Sequence, residues 1–108
     1  MVIDYKKLEQ DLIKAKDAGI EAGKSEDGGS ANMDCVFLKL PRAREVKVIE
    51  AIKRSGLHCR QKVKWIGYGY MISPIACGQG NSRYRAMEAM KKSLKDDGYD
   101  VLGFYRAD

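Results

Sequence analysis

Apolar positions along this chain change period several times, and each change marks a structural element. From Asp4 to about Lys24, the residues Leu8, Leu12, Ala15, Ala18 and Ala22 recur at helical spacing, with Lys6, Glu9, Lys16 and Glu21 on the remaining surface. Gly19 and Gly23 weaken the second half of that helix, by ~1 kcal/mol each relative to alanine. Ser25–Asn32 is polar, glycine-containing and aperiodic, the pattern of a linker. The first helix is therefore expected to be an appendage, docked on the rest of the chain or on a partner.

Beyond the linker the period shifts to two. Cys35–Leu40 reads as a short strand ended by Pro41. Pro41 suits the first turn of a second helix running to about Ser55, with Val46, Ile49 and Ile52 as its buried stripe and Gly56 as its stop. Arg60–Trp65 alternates as a half-buried strand, with Val63 and Trp65 on one face and Arg60, Lys62 and Lys64 on the other. Gly67-Tyr-Gly-Tyr70 leads into a further strand over Met71–Ala76, shortened or bulged by Pro74. A loop over Gly78–Ser82 feeds a third helix, striped by Tyr84, Met87, Met90 and Leu94 and stopped at Gly98, and Val101–Tyr105 is the last strand.

After the first helix the order is β-α-β-β-α-β, which is the split βαβ or ferredoxin-like arrangement. The chain is thus expected to be α+β. An N-terminal helix (residues 1–24) and a linker (25–32) precede a ferredoxin-like core (33–108), with two helices on one face of a four-stranded antiparallel sheet and a single domain overall.

Composition adds to this picture. Over 108 residues, 44% hydrophobic and 32% charged residues exclude a disordered chain. No apolar run approaches the ~20 residues of a membrane helix, and the N-terminus lacks a signal-peptide pattern. Cys35, Cys59 and Cys77 are odd in number, widely spaced and without a CxxC pair. They are expected to pack as small hydrophobes in a reduced, cytoplasmic setting. A net charge of +5 and a pI near 9.1 favour an acidic partner, with nucleic acid or a nucleoprotein first among them.

Chemistry for catalysis is sparse. His58 and Cys59 are adjacent, and neighbours on an extended chain point to opposite faces, so they do not form a dyad. Asp96 and Asp97 sit near a helix end and read as solvated. No nucleophile elbow, phosphate loop, zinc-protease or dinucleotide fingerprint occurs. The expectation is a binding protein with no enzymatic activity, cofactor or metal.

Two clusters carry candidate binding chemistry. Arg42 and Arg44 open the second predicted helix, and Arg83 and Arg85, with Gly78, Gly80, Asn81 and Ser82, open the third. Arginines oppose the dipole at a helix start, so an anion there would compensate them. The two helices are expected to follow the two central strands, read as parallel neighbours, so that both helix starts share one edge of the sheet and the arginines converge on a phosphate or carboxylate. The other account of the same residues has the arginines pair with Glu45, Glu88 and Asp108 while the glycines make a turn. The second cluster is a basic, aromatic sheet face of Phe37, Lys39, Arg60, Lys62, Lys64, Tyr68 and Tyr70.

Val36-Phe-Leu-Lys39 and Gly67-Tyr-Gly-Tyr70 resemble the second and first ribonucleoprotein motifs of RNA-recognition domains. That likeness implies an open sheet face on which bases stack. Ile66, Ser73 and Leu40-Pro41 depart from the motifs, and Gly67 and Gly69 also suit a hairpin turn. Separately, the run Gly78–Met90, with Gly98-Tyr99 and the aromatic segment Gly103–Asp108, resembles small proteins of Gram-positive phages and mobile elements. That resemblance implies an inhibitor of host defence, anti-CRISPR proteins included, although the +5 charge departs from the acidic DNA mimics among them. The functional expectation is a small protein that binds nucleic acid or a nucleoprotein through an arginine-rich edge. A protein-interaction module or inhibitor, with a homodimer through the sheet among its forms, and a sensor of small anionic ligands are the alternatives.

Overall fold

The computed structural model of the chain describes residues 3–24, 34–75 and 81–105. The elements run α1 (Tyr5–Gly23), β1 (Cys35–Lys39), α2 (Glu45–Arg54), β2 (Lys62–Trp65), β3 (Gly67–Ile72), α3 (Asn81–Asp96) and β4 (Asp100–Phe104). The sheet order is β2-β3-β1-β4, and every neighbouring pair is antiparallel. This is the ferredoxin-like arrangement with one additional helix in front of it. The linker read over residues 25–32, the Gly78–Gly80 loop, Cys77 and Asp108 lie outside the described residues.

The helix side of the sheet presents Val36, Leu38, Tyr70, Ile72 and Val101 to one continuous core. Leu8, Leu12 and Ala15 of α1 belong to that same core, so the first helix is a packed part of the fold. Asp4 caps it, its carboxylate accepting the amides of Lys6 and Lys7 at 3.1 and 3.0 Å. Gly19 and Gly23 acquire a reason here. A Cβ on Gly19 would stand 2.9 Å from Met90 Cγ and 3.1 Å from the Ala86 carbonyl, and one on Gly23 would stand 3.0 Å from Ser82 Oγ. The glycines lower helix propensity and in exchange let α1 lie closely along α3.

Two polar contacts fix the other end of this antiparallel pair. Lys14 bridges Asp97 at 3.1 Å, and the Tyr99 phenol donates to Asp11 Oδ2 at 2.6 Å, an oxygen that also accepts from Lys7 at 2.7 Å. Burial pushes the Tyr99 phenol well above its ordinary pKa, and the bond to Asp11 adds to the effect. Burial alone would raise the Asp11 carboxyl, but its bonds to Lys7 and Tyr99 prevail and hold it below the usual value. A depressed carboxylate stabilises the fold above its unfolded pKa, and that contribution disappears as pH falls through the folded value. Tyr99→Phe is accordingly expected to cost about 1 kcal/mol at neutral pH. The difference from the parent should narrow below the ordinary aspartate pKa of about 4. Urea denaturation at neutral and acidic pH measures both values.

The second helix differs from its sequence reading. It starts at Glu45, with Arg44 as an extended N-cap residue (φ −82°, ψ 126°) that makes no side-chain cap. Arg42 and Arg44 therefore precede the helix, and its first turn carries an acid, as the dipole favours. Its buried stripe is Val48, Ala51 and Ile52, and Val46 is 76% exposed. In α3, Tyr84 is likewise exposed, and Ala86 joins Met87, Met90 and Leu94 inside. Gly56 and Gly98 do end their helices with positive φ (91° and 93°).

Strand pairing reassigns the two faces of the sheet. Lys62 pairs with Tyr70, Lys64 with Tyr68, and Tyr70 with Leu38. Directly paired residues share a face, so the two lysines and two tyrosines lie on the helix side with Leu38. Tyr70 is fully buried there, and burial pushes its phenol up to about 12. Val63, Trp65, Gly67 and Gly69 take the open face with Phe37 instead. Phe37 is itself completely buried: its ring lies over Gly69, where a Cβ would stand 2.6 Å from Phe37 Cζ, and Trp65 meets it edge-on at 5.1 Å. Trp65 also packs edge-on against Phe104 at 4.9 Å. The exposed basic face of Phe37, Lys62, Lys64, Tyr68 and Tyr70 is thus not formed. The open face carries glycines where the RNA-recognition motif would place stacking aromatics, and its own aromatics are packed on one another.

Candidate nucleic-acid interface

The position of the arginines follows from how split βαβ units close. A crossover helix carries the chain back, so strands joined through a helix are parallel, and the strand inserted between them runs the other way. The central neighbours β1 and β3 are consequently antiparallel, with Val36 opposite Ile72. Segment 40–44 leaves the carboxyl end of β1, whereas α3 follows the carboxyl end of β3, beside the amino end of β1. Arg42 and Arg44 are therefore at the opposite end of the sheet from Arg83 and Arg85, and the four do not converge.

At the α3 end the polar groups have structural partners. Ser82 is fully buried and donates its hydroxyl to the Gly23 carbonyl at 3.0 Å. Arg83 donates Nε to the Asp34 carbonyl at 2.9 Å and reaches Cys35 Sγ at 3.6 Å, tying the start of β1 to α3. Glu88 accepts from Tyr105 at 3.0 Å and bridges Lys91 at 2.8 Å. Asn81 begins α3, and Arg85 is exposed next to Tyr84 and Glu88 on a surface cleft of 510 Å³.

The other end gathers a different set. β1 stops at Lys39, the chain turns away through Leu40-Pro41, and the β2–β3 hairpin continues past it. The hairpin reverses at Ile66, with Gly67 at φ 74° supplying the left-handed residue that a three-residue turn needs. Tyr68 is 61% exposed on this hairpin, and the ammonium groups of Lys62 and Lys64 each lie 5.9 Å from its ring centroid. Glu45 accepts the Lys62 amide at 3.1 Å, and Tyr5 accepts the Arg44 amide at 2.9 Å. The first bond holds the start of α2, directly after Arg42 and Arg44, beside β2, and the second ties Arg44 to α1. Arg42, Arg44, Lys62 and Lys64 are exposed and Lys39 is half-buried. None of the five forms an ion pair among the described residues. Between the hairpin and the end of β1 is a cleft of 410 Å³, lined in part by Lys39, Pro41, Lys62, Tyr68 and Asp100.

The structure thus divides the sequence-predicted residues. Lys39, Arg42, Arg44, Lys62, Lys64 and Tyr68 gather at one rim, with Arg60 two residues before β2 along the same edge. Phe37 and Tyr70 are buried, and Ser82 and Arg83 are occupied within the fold. Sequence reading did not single out Trp65 and Ile66, which are 40% and 51% exposed at the hairpin, or Asp100. A tryptophan at the end of an alternating strand looks like a core residue until the turn is located.

No family model, curated protein or solved structure matches the chain. Burial pushes the Cys59 thiol up to about 11, which keeps it protonated and poorly nucleophilic. Among the described residues no group of three or more His, Cys, Asp or Glu side chains is placed to hold a metal, and no helix is long and apolar enough to cross a membrane.

Proposed function

We propose that this protein binds single-stranded nucleic acid at the rim formed by the β2–β3 hairpin and the segment leading into α2. The observation that carries this reading is an exposed tyrosine with the Lys62 and Lys64 ammonium groups each 5.9 Å from its ring centroid and Lys39 lining the same cleft, while Arg42 and Arg44 follow the end of β1; none of the five is held in an ion pair among the described residues. Lys39, Arg42, Arg44, Lys62 and Lys64 suit phosphates, and the exposed ring of Tyr68 suits a base. Stacking on exposed aromatics needs bases already out of a duplex, which favours a single strand.

Trp65 is the sole tryptophan and belongs to the hairpin, so its fluorescence reports binding directly. Titration with a short single-stranded oligonucleotide is expected to change that signal at low salt. Log affinity should fall linearly with log salt, with a slope of roughly −3 if four or five phosphates are contacted at about 0.7 each. A duplex of the same sequence should bind more weakly. Lack of salt-dependent binding to any single strand would refute the proposal.

A second reading, a protein-interaction module, is favoured by the open sheet face. There Trp65 is 40% exposed and Val63, Met71, Leu102 and Phe104 are half-buried, so an apolar area is left without a covering element among the described residues. Sedimentation of the purified chain across concentrations tests its self-association.

A further inference from the structure

The cleft beside Tyr68 contains one acid among cations and aromatic carbon, a combination that points past phosphate binding to a choice of base. Its volume of 410 Å³ falls within the roughly 300–1,000 Å³ of small-ligand sites. Leu40 and Pro41 supply an apolar wall, Tyr68 a ring face, Lys39 and Lys62 positive charge, and Asp100 the only carboxylate in the lining among the described residues. Asp100 opens β4 opposite Lys39 of β1, is exposed, and forms no ion pair among the described residues. A lone carboxylate in a site otherwise built for an anion opposes phosphate, so its presence calls for a ligand edge made of donors.

We propose that this cleft takes one base of the bound strand and that Asp100 selects guanine. An ionised carboxylate only accepts hydrogen bonds, and it offers two oxygens side by side. On the Watson–Crick edge, guanine alone presents two adjacent donors, the N1–H and the 2-amino group. Adenine and cytosine each pair an amino donor with a ring-nitrogen acceptor that repels the carboxylate, and the N3–H of thymine or uracil lies between two carbonyls. Tyr68 supplies the stacking surface, and Lys39 and Lys62 supply the charge for the flanking phosphates. This inference rests on the nucleic-acid reading above and adds base specificity to it.

The test compares a short oligo(dT) with the same strand carrying a single central guanine, adenine, cytosine or hypoxanthine, each titrated against the full chain and against Asp100→Asn. The guanine strand is expected to bind roughly tenfold more tightly than the thymine, adenine and cytosine strands. Hypoxanthine, which keeps N1–H and lacks the 2-amino group, should fall between. Asp100→Asn should lose the guanine preference and keep its salt-dependent affinity for oligo(dT). Equal affinity of the parent protein for all strands, with normal salt dependence, would overturn base selection and leave single-strand binding standing. A guanine preference that survives Asp100→Asn would overturn the role of Asp100. No binding of any strand at low salt would overturn both proposals together.

Discussion

Replacing Arg42, Arg44, Lys62 and Lys64 together with alanine is expected to weaken binding to single-stranded oligonucleotides by at least about a hundredfold at low salt. Each phosphate neutralised on a single strand contributes ~0.7 to the slope of log affinity against log salt, so losing four contacts should flatten the slope by roughly 3. The structural cost should be small. All four side chains are exposed and none is in an ion pair among the described residues, and like charges gathered on one rim repel one another. Circular dichroism and the denaturation midpoint should stay near those of the parent. Arg83→Ala is the contrasting variant. It removes the bond to the Asp34 carbonyl that ties β1 to α3, so it should lower stability by about 1–2 kcal/mol and leave the salt slope unchanged. A quadruple variant that still binds with the parent's slope would mean the rim is not where phosphates sit.

The largest effect on stability is expected at Gly19. Leucine there would drive a side chain into Met90 and the Ala86 backbone, where even a Cβ stands at 2.9 and 3.1 Å. The methionine tip can move, but the carbonyl of a packed helix cannot move without shifting α3. Overpacking of this kind costs about 3 kcal/mol, well above the ~1 kcal/mol that the gain in helix propensity returns. Because Leu8, Leu12 and Ala15 lie in the same core as the sheet residues, prying α1 from α3 loosens the whole domain. Urea denaturation of Gly19→Leu followed by circular dichroism and by Trp65 fluorescence should show one transition at a lower midpoint. If only the helical signal moved early and the fluorescence kept the parent midpoint, α1 would be a separable element after all.

Much of the fold was legible because its signals are local. The strand at Cys35, the helix stops at Gly56 and Gly98, and the β-α-β-β-α-β order come from period changes and punctuating residues within a few positions of one another. The rim proposed to bind was legible only in part. Its cations were recognised, but Arg42 and Arg44 were grouped with Arg83 and Arg85, and Lys62 and Lys64 with Phe37. Both groupings required knowing which strands are neighbours and in which direction they run, information that alternation within a single strand does not contain.

The first helix shows the same division. Its periodicity located it to within a residue, from the Asp4 cap to Gly23. Gly19 and Gly23 looked like weaknesses because helix propensity is a property of one segment, whereas their advantage is the close approach of another. By itself, then, the sequence determined the element order, the ferredoxin-like class and a surplus of cations, +5 in net charge. Tertiary structure decided where those cations meet. Pairing of β1 with β3 set the helix starts at opposite ends, and the register of β2 on β3 turned Lys62 and Lys64 toward Tyr68 and laid Trp65 over Phe37. The physical reason is that side chains alternate with strict period two along a strand, so each strand's pattern is defined only up to a flip, and long-range pairing alone removes that ambiguity.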